Sequence, residues 1–250
     1  MRFDLTVLIP TFNERENIGM MVAAIDTICK AHSINEEILV VDDNSRDGTI
    51  AVVETLMNEH RNLHLLVRQE NPGLSQSLYD GMLHAQADRV QCIDCDFSHP
   101  PEKIPLFYHY LHDLGYDMVI GSRYIEGGEV INWSIMRRLL SSGAALLGRL
   151  LIPNVMDSGS GFFAINRRIL KGAHLSPRGF RMGFEILGKA NWTKVQEIPI
   201  IFKDREFGES KLKFRIICDF LIQCGSILKY NIIERKSGNI IRAWKIFFHR

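Results

Sequence analysis

The amino-terminal half of the chain alternates between two hydrophobic patterns. Apolar runs at 5–9, 37–41, 62–67, 89–94 and 117–121 are short and nearly continuous, and several stop at a proline or a carboxylate. Longer stretches at 14–30, 47–59, 74–87 and 101–113 read as helices. Runs without polar alternation predict strands buried on both faces. Strands alternating with helices predict a mostly parallel sheet covered on both sides, an α/β fold. Ligands of such sheets bind outside the carboxyl ends of the strands. The polar residues after each strand are therefore the informative ones: Thr11 to Glu14, Asp42 to Ser45, and Asp94, Cys95 and Asp96.

The second half changes character. Residues 136–152 are apolar over most of a helix circumference and stop at Pro153. Segments 162–165 and 194–202 read as strands, with a helix at 184–190 between them. Beyond Lys211, the residues Arg215, Asp219, Gln223, Ser226 and Lys229 form one narrow polar stripe at helical spacing. Two readings stay open: a helix packed on the domain, or one lying in a membrane surface. The last residues mix Arg235, Lys236, Arg242, Lys245 and Arg250 with Trp244, Phe247 and Phe248, which suits an anionic membrane. The pattern thus divides the chain into a catalytic unit at 1–212 and a membrane- or partner-associating segment at 213–250. No run offers the eighteen or so uninterrupted apolar residues of a spanning helix. A peripheral protein on the cytosolic face of a membrane is expected.

Composition narrows the class. The 250 residues are 46% hydrophobic and 24% charged, ordinary for a globular protein. Thirty basic against twenty-nine acidic residues give a net charge of +1, so no nucleic-acid partner is expected. Five cysteines are few and odd in number, which excludes a disulfide scaffold. Cys92 and Cys95 form a C-x-x-C, but no second pair follows at zinc spacing. Residues three apart on a strand also point to opposite faces.

The candidate chemistry sits at the strand ends. Asp94 and Asp96 follow a buried strand with one residue between them, so both carboxylates reach the same side. Two carboxylates suit a hard divalent cation that bridges a diphosphate. At ~4 Å and an effective dielectric near 20, each charge pair is worth about 4 kcal/mol. A solvated turn is the plain alternative. Asp42 and Asp43 suit either hydrogen bonding to a base or ribose, or an Asx turn before the next helix. There is no Gly-x-Gly-x-x-Gly after the first strand and no P-loop, which disfavours a dinucleotide oxidoreductase or a Walker ATPase. His99, before Pro100 and Pro101, reads as a structural loop residue.

In sequence order, Ile9 to Glu14, Val41 to Ser45, Asp94-Cys95-Asp96 and Gly121 to Tyr124 resemble the family 2 glycosyltransferases. The later segment, Asp204 to Lys211, is similar to that of the dolichyl-phosphate (polyprenyl-phosphate) mannose synthases. The resemblance implies a glycosyltransferase A-type fold. It places Pro10, Phe12, Glu14, Val41 and Asp43 around the nucleoside, with Asp94, Cys95 and Asp96 at the donor. Asp94 and Asp96 would hold Mg²⁺ or Mn²⁺, with Ser98 where many relatives carry a glutamine ligand. Phe12 stands where the family often has tyrosine. Arg123 would face the sugar or the acceptor phosphate. Arg205 and Lys211 would close over the diphosphate from a loop that Gly208 keeps mobile.

The implied acceptor is a polyprenyl or dolichyl phosphate, an anion on an apolar tail. Arg137 and Arg138 lie one turn before Ser141 and Ser142 on the apolar helix, a fair phosphate cradle. The implied reaction is direct displacement on GDP-mannose with inversion. An ionised phosphate needs no general base, so Glu185 is expected to orient the site or bind sugar hydroxyls. A UDP-hexose donor (glucose or N-acetylhexosamine) is the alternative within the enzyme class. A non-catalytic nucleotide-sugar-binding subunit is the alternative outside it. A small membrane-anchoring subunit is a possible partner.

Overall fold

The computed structural model describes residues 3–203 and 214–233. Nine strands and seven α-helices appear among them. The first four strands are β1 (Leu5–Thr11), β2 (Glu36–Asp42), β3 (Leu63–Val67) and β4 (Arg89–Cys92). They alternate with α1 (Ile18–Ala31), α2 (Thr49–Leu56) and α3 (Leu74–His84). A short 3-10 turn (Pro101–Lys103) leads into α4 (Ile104–His112), then β5 (Met118–Ser122), β6 (Glu129–Ile131) and α5 (Ile135–Leu151). The chain continues through β7 (Phe163–Asn166), α6 (Met182–Lys189), β8 (Val195–Pro199), β9 (Ile201–Lys203) and α7 (Phe214–Ile233).

Seven strands form one sheet in the order β3-β2-β1-β4-β7-β5-β8. All neighbours are parallel except β7, which runs antiparallel between β4 and β5. The α/β expectation with a mostly parallel sheet is met. Helices on both faces explain the absence of polar alternation in the strands. Leu5, Val7 and Ile9 face one hydrophobic cluster, with α1 and α4. Leu8, Val41, Val90 and Cys92 face the other, with α3, α6 and α7.

Two elements depart from the expected pattern. Segment 194–202 is two strands: β8 closes the main sheet, whereas β9 leaves it to pair with β6 in a separate two-stranded ribbon. The break at Ile200 follows Pro199, whose missing N–H cannot extend a ladder. The polar stripe of α7 lies partly against the domain: Asp219 and Ser226 are part-buried and Lys229 is exposed. Gln223 is buried, while Leu221, Ile222, Leu228 and Ile232 are exposed. A Cβ on Gly188 would lie 2.7 Å from Ile227, so only glycine lets α6 and α7 approach this closely.

Candidate active site

Strand order sets the site. β1 lies between β2 and β4, where the direction of winding reverses, so three loops leave the same edge side by side. The first two loops are zipped together by side chains. The Asn13 N–H donates to Ser45 Oγ (2.8 Å) and the Glu14 N–H to Thr49 Oγ1 (2.9 Å). Asn13 and Asn44 take left-handed backbone (φ 59° and 58°), which asparagine tolerates better than most residues. Asp42 is fully buried and closes an Asx turn, accepting from the Ser45 N–H (2.7 Å) and from the Ser45 and Thr11 hydroxyls. Phe12 is left 61% exposed at the mouth, offering its ring face to a ligand.

Asp43 has a different neighbourhood from the one expected. Its Oδ1 accepts from Arg68 Nη1 and from Ser77 Oγ (2.8 Å), and its Oδ2 accepts from the Gly73 N–H (2.7 Å). Arg68 also reaches Asp80 at 2.8 Å. The carboxylate is thus held from three sides, and any ribose contact must use a remaining lone pair. Sequence reasoning missed Arg68, because its partners lie 12 and 25 residues away.

The loop after β4 carries the two candidate metal ligands. Asp94 and Asp96 are both partly exposed. The Ser98 N–H donates to Asp96 Oδ1 at 3.0 Å. Between them Phe97 is left-handed (φ 59°), a conformation a bulky residue rarely adopts. Strain of this kind costs about 1–3 kcal/mol and concentrates at functional sites. His99 is buried beneath the loop. Its Nδ1 accepts from the Asp94 N–H (3.2 Å), which places the ring proton on Nε2. Its ring stacks on Phe162 (5.0 Å between centroids, 11° between planes) and meets Phe202 edge-on. Burial lowers the His99 pKa, favouring the neutral imidazole that can accept this bond.

These donors fit a hard divalent cation. Asp94 and Asp96 supply oxygens, and the buried Ser98 Oγ has no hydrogen-bond partner among the described residues. No cluster of three or more His, Cys, Asp or Glu side chains suited to a metal occurs among the described residues, so a diphosphate would complete the coordination.

Two expected donor residues turn into the core. Val41 packs beneath Gly81, where a Cβ would come within 2.9 Å of its Cγ2. Cys95 is buried in the first hydrophobic cluster, and Cys92 in the second. The cysteines therefore face opposite sides of the sheet, and burial pushes the Cys92 thiol well above its ordinary pKa. Pro10 lies at the strand end, part-buried. Glu14 accepts from Asn17 Nδ2 at 2.8 Å.

The acceptor side also differs in detail. β7 enters antiparallel beside β5 and brings Asp157 to Arg123. Arg123 Nε and Nη2 donate to the two Asp157 oxygens at 2.7 and 2.8 Å, with Asp157 buried and Arg123 part-buried. Two of its three guanidinium nitrogens are spent on Asp157, which anchors the side chain expected to face the sugar or the acceptor phosphate. Its guanidinium is enclosed by Tyr124, Trp133 and Phe202. Arg137 stacks on Trp133 at 4.2 Å, and Arg138 turns back to the Val130 carbonyl at 3.1 Å. Ser141 pairs with the Tyr124 hydroxyl at 2.7 Å, and Ser142 is exposed. Glu185 is buried, pairs with Lys189 at 2.6 Å and accepts from the Ser176 N–H at 3.0 Å and Gln223 Nε2 at 3.1 Å. Arg205, Gly208 and Lys211 lie outside the described residues, as does the basic tail after residue 233.

Relatives and solved structures agree with this architecture. A dolichol-phosphate mannosyltransferase of Pyrococcus furiosus is 38% identical over 229 residues, spanning 90% of this chain and 64% of that protein. The chain thus spans a little under two thirds of that relative's length. The Saccharomyces cerevisiae protein of the same name is 29% identical over 99% of this chain and 96% of its own. Among solved structures, glucosyl-3-phosphoglycerate synthase from Mycobacterium tuberculosis with Mn²⁺, UDP and phosphoglyceric acid has a TM-score of 0.65 at 18% identity. It covers 90% of this chain and 79% of that one. A Pyrobaculum calidifontis mannosyltransferase with GDP-mannose and Mn²⁺ has a TM-score of 0.62 at 19% identity, covering 90% of this chain and 64% of that one. The fold is that of the A-type glycosyltransferases. The family described as glycosyl transferase family 2 matches residues 6–172, and the chain belongs to it.

Proposed function

We propose that this chain transfers mannose from GDP-mannose to a polyprenyl (dolichyl-type) phosphate at a membrane surface, with inversion. One juxtaposition carries the reading: Asp94 and Asp96 sit at the switch point of the sheet, in a molecule that also carries two helices with apolar outer faces. On α5, Ile135, Leu139, Leu146 and Leu150 are exposed; on α7, Leu221, Leu228 and Ile232 are. Each set repeats at helical spacing along one side, and contiguous exposed apolar surface marks an interaction site. A prenyl tail and a bilayer are the partners whose chemistry matches. The names of the archaeal and fungal relatives support the donor sugar and the acceptor.

Each residue has a task in this reading. Phe12 and Glu14 meet the nucleoside, and Asp43, braced by Arg68, holds its pocket wall. Asp94 and Asp96, with the Ser98 hydroxyl, would hold Mg²⁺ or Mn²⁺. The ion neutralises charge on the diphosphate and so improves the leaving group. Arg205 and Lys211, outside the described residues, would bring positive charge to the diphosphate. An acceptor phosphate oxygen forms the new bond to the anomeric carbon while the carbon–oxygen bond to the diphosphate breaks on the opposite face. The acceptor arrives ionised, so no side chain has to remove a proton. That agrees with the engagement of Glu185 by Lys189.

The donor is tested by calorimetric titration of GDP-mannose, UDP-glucose and UDP-N-acetylglucosamine with Mn²⁺ present. Proton NMR of the glycolipid then reads the anomeric configuration. Tight binding of GDP-mannose alone and a β-linked product are expected. Preference for a UDP-sugar keeps the displacement chemistry and removes mannose. An α-linked product removes inversion.

A further inference from the structure

We propose that Arg181, just before α6, is a ligand for the phosphate monoester of the acceptor, a role the motifs do not give it. The inference rests on the functional reading for the identity of that monoester. Two guanidinium groups, Arg123 and Arg181, lie beside one carboxylate, Asp157. Arg123 takes both oxygens of that carboxylate. Among the described residues, the Arg181 guanidinium has neither an ion pair nor a hydrogen bond; its own backbone carbonyl accepts from Gln223. It packs instead over the Phe220 ring at 4.5 Å. Burial and the neighbouring Arg123 both depress its pKa. A largely buried cation that shares its one neighbouring carboxylate with Arg123 is costly unless an anion supplies further negative charge.

The surroundings select the anion. Tyr124 lies near Arg181 and is tied to Ser141 of α5, while Phe220 belongs to α7. Arg181 therefore sits where the two helices with apolar outer faces come together. A phosphate at this point can run its prenyl tail out along those faces. Guanidinium matches phosphate through paired N–H donors. Asp219, which lies against Gly179 and lines the same hollow as Arg181, has a partner of its own. Gly159 makes room for the side chain: a Cβ there would lie 2.1 Å from Arg181 Nη1. Gly159→Ala is thus a second variant, one that displaces the guanidinium and leaves arginine in place.

The test uses the full chain and titrates citronellyl phosphate, inorganic phosphate and neutral citronellol by calorimetry, without donor. The wild type is expected to bind citronellyl phosphate, inorganic phosphate more weakly, and citronellol not at all. Arg181→Gln should weaken phosphate binding about 10- to 100-fold, as loss of a charged hydrogen bond does. Gly159→Ala should weaken it in the same direction, and exposed Arg61→Gln should not change it. Thermal unfolding confirms that each variant is folded; if Arg181→Gln is not, Gly159→Ala decides. Wild-type affinity in the decisive variant overturns the proposal, as does a wild type that binds neither phosphate. Equal affinity for both phosphates overturns the tail component. Mannosyl transfer with an unchanged KM for polyprenyl phosphate in Arg181→Gln sinks this inference alone. Arg181-dependent phosphate binding without mannosyl transfer sinks the functional reading alone.

Discussion

His99 holds the Asp94 backbone from behind through one nitrogen, and two ring contacts fix that nitrogen in place. His99→Leu keeps the bulk and removes the acceptor. It should weaken Mn²⁺ binding about 10- to 100-fold, the usual effect of losing a supporting partner behind a ligand. His99→Asn restores an acceptor and should recover part of it; Mn²⁺ titration by electron paramagnetic resonance reads both. Asp96→Ala should abolish Mn²⁺-dependent turnover, by at least about 10²-fold. The position of Asp94 and Asp96 just beyond β4, at the ligand edge of the sheet, was legible because the apolar run before them is a strand. The side chains of Val41 and Cys95 fall on the core side, which leaves only their backbone for a donor. The pairing of Arg123 with Asp157 was not legible. It spans 34 residues and depends on β7 running antiparallel, which no short-range pattern encodes.

Elements were read well where hydrophobic periodicity decided them, and less well where pairing partners did. Strands β1 to β5 and the helices between them fall within a few residues of the pattern. The split into β8 and β9 follows from which neighbour each half pairs with. Two residues of the polar stripe of α7, Gln223 and Ser226, have their partners on α6. Buried Glu185 pairs with Lys189, Lys189 Nζ donates to Ser226 Oγ (2.9 Å), and Gln223 Nε2 donates to Glu185 Oε2 (3.1 Å). Lys189→Met leaves a buried carboxylate unpaired and should cost about 3–5 kcal/mol in urea unfolding. Adding Glu185→Leu should return most of it. At the opposite edge of the sheet, burial raises the Glu36 pKa to about 7, despite the Asn62 Nδ2 bond at 2.7 Å. The folded state then holds the proton more tightly than the unfolded chain. That contribution is present below the unfolded carboxylate pKa and is lost as pH rises toward 7. Glu36→Gln should therefore gain stability over the wild type between pH 5 and pH 8, measured by urea unfolding at both. An unchanged difference contradicts the assignment.

At the scale of the molecule, the exposed apolar faces of α5 and α7 carry the proposal that the chain works at a membrane surface. No helix among the described residues is long and apolar enough to cross a membrane. In the proposed function, binding to a bilayer rests on surface apolar residues and basic charge. Replacing Leu139, Leu146 and Leu150 together with serine should shift the protein from liposomes to the soluble fraction in a flotation assay. Mannose transfer to a short, water-soluble prenyl phosphate should survive that change. Transfer itself is the most direct test of the whole account. Purified protein is incubated with polyprenyl phosphate, GDP-mannose and Mn²⁺, and the lipid fraction is read by mass spectrometry. The account predicts a polyprenyl-phosphate mannose that disappears with EDTA and in Asp96→Ala. A folded wild type that binds GDP-mannose yet forms no such product, or forms it equally well in Asp96→Ala, contradicts it.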